Sequence, residues 1–188
     1  MPSTTRDIPR QAGPGSTPRP PAPAEGALSG QHVLIVAGRR GSQAEPGADV
    51  VAGHARSGAA RVSLLNCANT ITDLVGHRIA GRPDLVIGVL PGRGPSLAAV
   101  RVAERMGAPL LVLLNHDGPS SWGEHGTMRR AARVVLTGED LRERVLHAGV
   151  RPERIEVWHS FTPGAEQAFH QLARRTMSEF SRPVPSGL

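Results

Sequence analysis

Two apolar runs in the middle of the chain, Leu85 to Leu90 and Leu110 to Leu114, set the pattern against which the other segments are read. Neither alternates apolar with polar, as a strand with one wet face would. Both are therefore expected to be central strands of a parallel sheet covered on both sides. Between them, a Pro and Gly break at Pro91 to Pro95 leads into a helical stretch. There Leu97, Val100, Ala103 and Met106 recur every third residue, with Arg101, Glu104 and Arg105 opposite. The connection exceeds the roughly dozen residues that a parallel crossover needs.

The same alternation extends in both directions. His32 to Ala37 (HVLIVA) predicts a first strand that breaks at Gly38, Arg39, Arg40, Gly41 and Ser42, and Ala48 to Ala55 is the helical piece of the Gly-rich stretch that follows. Arg61 to Asn66 (RVSLLN) reads as the second strand. Asn69 or Thr70 is placed to cap a helix to about Ala80, with Ile71, Leu74, Val75 and Ile79 as its buried face. Ser120 to Ala132 reads as a loop entering a short helix, and Arg133 to Leu136 as the next strand. Thr137 is then expected to cap a helix from Glu139 to Ala148, with Asp140 completing a short-acid capping box; Leu141, Val145 and Ala148 point inward and Gly149 stops it. Arg154 to Trp158 is the last strand. A terminal helix from Ala165 to Phe180 follows, with Phe169, Leu172, Ala173 and Met177 on one face. Six strands alternating with helices predict a doubly wound, mostly parallel α/β sheet. Ligands gather where the strands of such sheets end, which singles out the loops Pro91 to Pro95 and Asn115 to Ser121.

A chain of 188 residues has room for one domain with tails. Residues 1–30 are dominated by Pro, Gly, Ser and Ala and are expected to form a disordered tail; 31–162 form the domain and 163–188 a helix with a frayed end. Aromatics are only 3% and Tyr is absent, so the core must be Val, Leu, Ile and Ala. The net charge is +6 and all 22 basic residues are arginine, scattered and without interleaved aromatics, which argues against nucleic acid as a partner. One cysteine, Cys67, excludes an internal disulfide and a cysteine zinc site; following a strand, it reads as a core residue rather than a nucleophile. Glu124 and His125 do not have the spacing of a helical metal site, and no metal is expected. No early run makes an ordinary signal peptide and none approaches the ~20 residues of a membrane span. The expectation is a cytoplasmic protein with at most peripheral membrane contact. Arg129, Arg130 and Arg133 could face anionic lipid, or be a solvated helix end. The loop Gly38 to Ser42 (GRRGS) could turn backbone N–H groups toward a phosphate, with two arginines beside them, or be a solvated turn.

The segment Ala131 to Pro163, AARVVLTGEDLRERVLHAGVRPERIEVWHSFTP, resembles the end of the N-terminal domain of family 4 glycosyltransferases, the retaining GT-B enzymes. Val134, Thr137, Glu139, Leu141, Val145, Gly149, Val150, Pro152, Arg154, Ile155 and Val157 fall on that family's pattern. Pro83 to Asp117 is similar to the preceding strand, helix and strand, which often end in a His-Asp pair, and the likeness covers about Gln31 to Pro163. It implies a Rossmann-like, GT-B N-terminal-type domain that binds the acceptor, while a second domain binds the nucleotide sugar. It places His116 by the acceptor or the donor sugar, although a loop-entry histidine bonded to backbone is the plainer alternative. Asp117 would orient His116 or cap the loop before Ser120. Gly38, Arg39, Arg40, Gly41 and Ser42 would approach the donor phosphates. Pro91, Gly92, Arg93 and Gly94 would join Asp117 in binding substrate. Such enzymes usually hold no metal or cofactor; the nucleotide sugar is a substrate.

The chain departs from the family after Val157. The Asn-Gly-Val-Asp exit is replaced by His159, Ser160, Phe161 and Thr162, and two glutamates eight positions apart occur nowhere. The donor-binding half is therefore expected in a separately encoded partner, with this chain inactive alone. The helix from Ala165 could return onto the domain, as a C-terminal helix does in full-length members, or simply cover a patch. The alternative function is a non-catalytic binding or remnant domain with the same fold.

Overall fold

Residues 26–40, 43–44, 46–58, 60–67, 81–90, 93–115, 122–159, 162 and 164–181 are described by a computed structural model. The elements run β1 (His32–Arg40), β2 (Gln43–Ala44), α1 (Pro46–Ser57), β3 (Arg61–Cys67), β4 (Leu85–Leu90), α2 (Arg93–Met106), β5 (Leu110–Leu114), α3 (Trp122–Arg130), β6 (Arg133–Leu136), α4 (Arg142–His147), β7 (Ile155–Val157) and α5 (Ala165–Phe180). Six strands pair in parallel in the order β3-β1-β4-β5-β6-β7. β2 folds back antiparallel on the last two residues of β1. The chain thus builds the expected α/β sheet. It first steps outward from β1 to β3, then resumes on the other side of β1 at β4. The helix expected between Asn69 and Ala80 lies outside the described residues.

That reversal decides which face each helix covers. Crossovers of one hand put a helix on opposite faces when the direction of travel along the sheet changes. Accordingly α1 packs on Val33, Ile35, Leu85, Ile87 and Val89, whereas α2, α3 and α4 pack on Leu34, Val36, Val86, Val112 and Val134. Every residue of β4 and β5 is buried, as two covered faces require. α5 returns to the α1 side and seats Phe169, Leu172 and Ala173 there. It is fastened at both ends. Trp158 Nε1 donates to Ala165 O at 3.0 Å, and near the far end the Arg133 guanidinium meets Glu179 at 2.6 Å as well as Glu156.

Several local expectations give way to tertiary contacts. Residues 26–30, expected in the tail, form a turn: Leu28 is fully buried and its N–H donates to Gly58 O at 2.8 Å. β1 does not break at Gly38, because Gly38 still pairs with Cys67 and β2 pairs with Arg39 and Arg40. In α2 the buried residues include Ala98, Ala99, Val100, Val102 and Ala103, while Leu97 is only half-buried. A strict every-third stripe drifts around a helix of about 3.6 residues per turn, so Leu97 and Met106 cannot share one face. The small residues face the sheet because α2 crosses close over β4: a Cβ on Gly88 would lie 3.0 Å from Ala99 Cβ. Thr137 does not cap the following helix. Its turn opens at Gly138 without a side-chain cap, and Thr137 Oγ1 donates instead to Asn115 O at 2.9 Å. Arg133 does not face outward with Arg129 and Arg130; it is buried in its ion pairs.

Two substitutions test this packing by urea unfolding. Gly88→Ala is expected to lose about 1–3 kcal/mol by overpacking, and adding Ala99→Gly should restore part of it. Leu28→Ala is expected to cost about 2–5 kcal/mol; a change near zero would remove residues 26–30 from the fold.

Candidate functional site

β1, β4 and β5 are neighbours and run in parallel, so their carboxyl ends share one rim of the sheet. β1, β4 and β5 are the strands that precede the three segments singled out in the sequence, Gly38 to Ser42, Pro91 to Pro95 and Asn115 to Ser121. With strands about 4.8 Å apart, the outer two of these three ends lie about 10 Å apart. The order reverses between β1 and β4, the place where open α/β sheets leave a crevice for a ligand. Gly41, Ser42, Pro91, Gly92, His116 and Asp117 lie outside the described residues. Gly38, Arg39 and Arg40 are strand residues here, and Arg93 and Gly94 belong to the first turn of α2 rather than to a loop.

The structure gives polar roles to Asn115, which opens one of the loops singled out in the sequence, to Thr137, which was expected as a cap, and to Asn66, which the sequence reading passed over. Asn115 follows β5 with its N–H donating to Leu90 O at 3.3 Å, and its carbonyl receives the Thr137 hydroxyl. Its side chain abuts the start of α1: a Cβ on Gly47 would lie 3.1 Å from Asn115 Nδ2 and 3.4 Å from Val89 Cγ1. α1 therefore opens over the ends of β4 and β5, with Pro46 at its first position, where the missing N–H costs nothing. At the end of β3, Asn66 pairs with Ala37, and its Oδ1 is buried without a hydrogen-bond partner among the described residues. Such an acceptor is unfavourable by about 1–3 kcal/mol unless a donor reaches it, so it suits a ligand hydroxyl or N–H. The signal for these residues was present: Asn66, Asn115 and Thr137 are each the polar residue at the close of an apolar run.

Other candidates have structural partners. Cys67 is buried in the core. Glu124 turns inward from α3 and meets Arg144 of α4 at 3.3 Å.

A second polar cluster sits at the opposite rim, where the strands begin. The buried His32 ring contacts Ser63 Oγ at 2.9 Å through Nε2, and Arg82 O at 3.2 Å and Arg61 Nη2 at 3.0 Å through Nδ1. Its backbone N–H donates to Asp84 Oδ2 at 2.7 Å. Nδ1 cannot donate to Arg82 and accept from Arg61 at once, so each tautomer satisfies one of them. A protonated ring would set two cations together. Burial holds the His32 pKa below the ordinary value, with Arg61 acting in the same direction against the Arg82 carbonyl and Asp84.

No model of a known protein family matches the chain, and no curated protein matches it.

Because the folded-state pKa of His32 is lowered, the unfolded chain binds its proton more readily. That contribution is fully present above about pH 6.5 and is lost as pH falls through the window below it. Urea midpoints at pH 7.5 and 5.5 should differ for the wild type, and His32→Gln should reduce that difference; an unchanged difference would contradict the assignment.

Proposed function

We propose that the chain is the acceptor-binding half of a retaining glycosyltransferase of the family 4 type, completed by a separately encoded donor-binding domain. The observation that carries the reading is the shared rim. The strands that precede the segments matching the family's phosphate loop, substrate loop and histidine, β1, β4 and β5, are adjacent and parallel, with the reversal of order between β1 and β4.

In this reading Gly38, Arg39, Arg40, Gly41 and Ser42 approach the phosphates of the nucleotide sugar. His116 contacts the acceptor or the donor sugar, and Pro91, Gly92, Arg93, Gly94 and Asp117 bind substrate. Asn66 Oδ1 offers a buried acceptor to a sugar hydroxyl. Retaining transfer needs hydrogen-bond donors held against a leaving phosphate more than a strong protein base. These residues supply such groups without a cofactor. The protein acts in the cytoplasm; no helix among the described residues is long and apolar enough to cross a membrane.

The test is an extract from cells lacking the gene, supplied with labelled nucleotide sugars. One donor's incorporation should be lost, and adding the purified chain should restore it. His116→Ala, shown to be folded by circular dichroism, should restore it about 100-fold less well. Unchanged incorporation from every donor would overturn the reading in favour of a non-catalytic binding domain.

A further inference from the structure

The rim where the strands begin carries a band of exposed arginines. Arg61 opens β3, Arg82 precedes β4, Arg105 ends α2, Arg129 and Arg130 end α3, and Arg151 precedes β7. Contacts join them into one surface. Arg61 and Arg82 meet across His32, Arg82 Nη2 donates to Gly107 O just after α2 at 2.9 Å, and Arg129 packs against Gly149 beyond α4.

The carboxylates beside them are fewer. Asp84 receives the His32 N–H, Glu104 lies 3.7 Å from Arg130, Glu153 lies 4.0 Å from Arg151, and Glu179 is taken up by the buried Arg133. Basic residues at helix ends are ordinary complements of the helix dipole. Arg61 opens a strand, where no helix end calls for it.

A second observation separates this band from a merely solvated one. The exposed large hydrophobic residues among the described positions are Leu146 and Phe180, 39% and 51% exposed. Both lie at this rim. Leu146 is in the last turn of α4, beside Gly149, and Phe180 follows Glu179, which is bonded to Arg133 at the start of β6. Apolar tips set among arginines suit the boundary between phospholipid headgroups and acyl chains, whereas a nucleic-acid backbone offers them nothing.

We propose that this rim is a docking surface for an anionic phospholipid bilayer: the arginines meet the headgroups while Leu146 and Phe180 enter the interface. The opposite rim carries exposed Asp49, Glu139, Asp140 and Glu166 in the first turns of its helices, against Arg93 at the start of α2 and Arg142, which is paired with Glu139. Docking therefore has a direction, and the crevice at the strand ends opens away from the membrane into water.

Cosedimentation of the full chain with vesicles of phosphatidylcholine, alone or mixed with phosphatidylglycerol, tests the surface without any transfer reaction. It thus stands apart from the glycosyltransferase reading. Binding is expected only to the mixed vesicles and should weaken with salt, since exposed charges are screened beyond about 8–10 Å. The triple variant Arg105→Gln, Arg129→Gln, Arg130→Gln should lower partition about 100-fold, at roughly fivefold per arginine. Leu146→Ser with Phe180→Ser should lower it several-fold further, while Arg142→Gln on the opposite rim should change it less than about twofold. Circular dichroism checks that each variant is folded. Equal binding to neutral vesicles, or indifference to the arginine variants, would overturn the proposal. Tight binding to a homopolymeric RNA that is insensitive to Leu146→Ser and Phe180→Ser would also overturn it, reassigning the rim to nucleic acid.

Discussion

The central strands β4 and β5 have no side that water touches. That constraint shapes the molecule, because a parallel sheet without a wet face must be covered twice, and helices laid down in one direction of travel cover only one face. Stepping outward from β1 to β3 and then back past β1 supplies the second layer. The same reversal falls between β1 and β4, the kind of place where open α/β sheets take a ligand. That switch point is thus a by-product of burying Leu85–Leu90 and Leu110–Leu114.

α5 is the element the sheet itself does not hold, since no described strand follows it. Its anchoring is made of side chains. Phe169 sits in the apolar core, His170 Nε2 donates to His54 O at 2.7 Å, and Arg133 reaches Glu179. A buried guanidinium is expensive to desolvate, and its carboxylate partners offset that expense without making the pair a large net source of stability. Its value is geometric. Arg133 meets carboxylates from β7 and α5 together, and this sets where the end of α5 lies along the sheet.

Parallel strands also give the molecule two unlike ends. The carboxyl rim gathers helix starts and polar strand ends, with acidic first turns on α1, α3 and α5 but not on α2. The amino rim gathers helix ends, arginines and the His32 cluster. The proposed sugar-transfer site and the proposed membrane-docking surface therefore draw on different residues of one small domain.

Whatever depends on nearest neighbours was legible in the chain. The apolar runs of β4 and β5, the positive-φ Gly149 after α4 and the whole span of Ala165–Phe180 follow from local hydrophobicity and backbone preference, which the residues carry with them. The candidate loops were legible in the same way, as breaks after those runs. Features that needed a partner distant in sequence were not. Leu28 is apolar in a Pro-rich stretch and becomes core only because Gly58 and α5 lie beside it. Thr137 looks like a cap until β5 offers it the Asn115 carbonyl, and Arg133 looks like a surface residue until Glu156 and Glu179 surround it. Hydrophobic periodicity states how much of a segment must be hidden; which atoms hide it, and which polar groups meet there, is decided when the layers close.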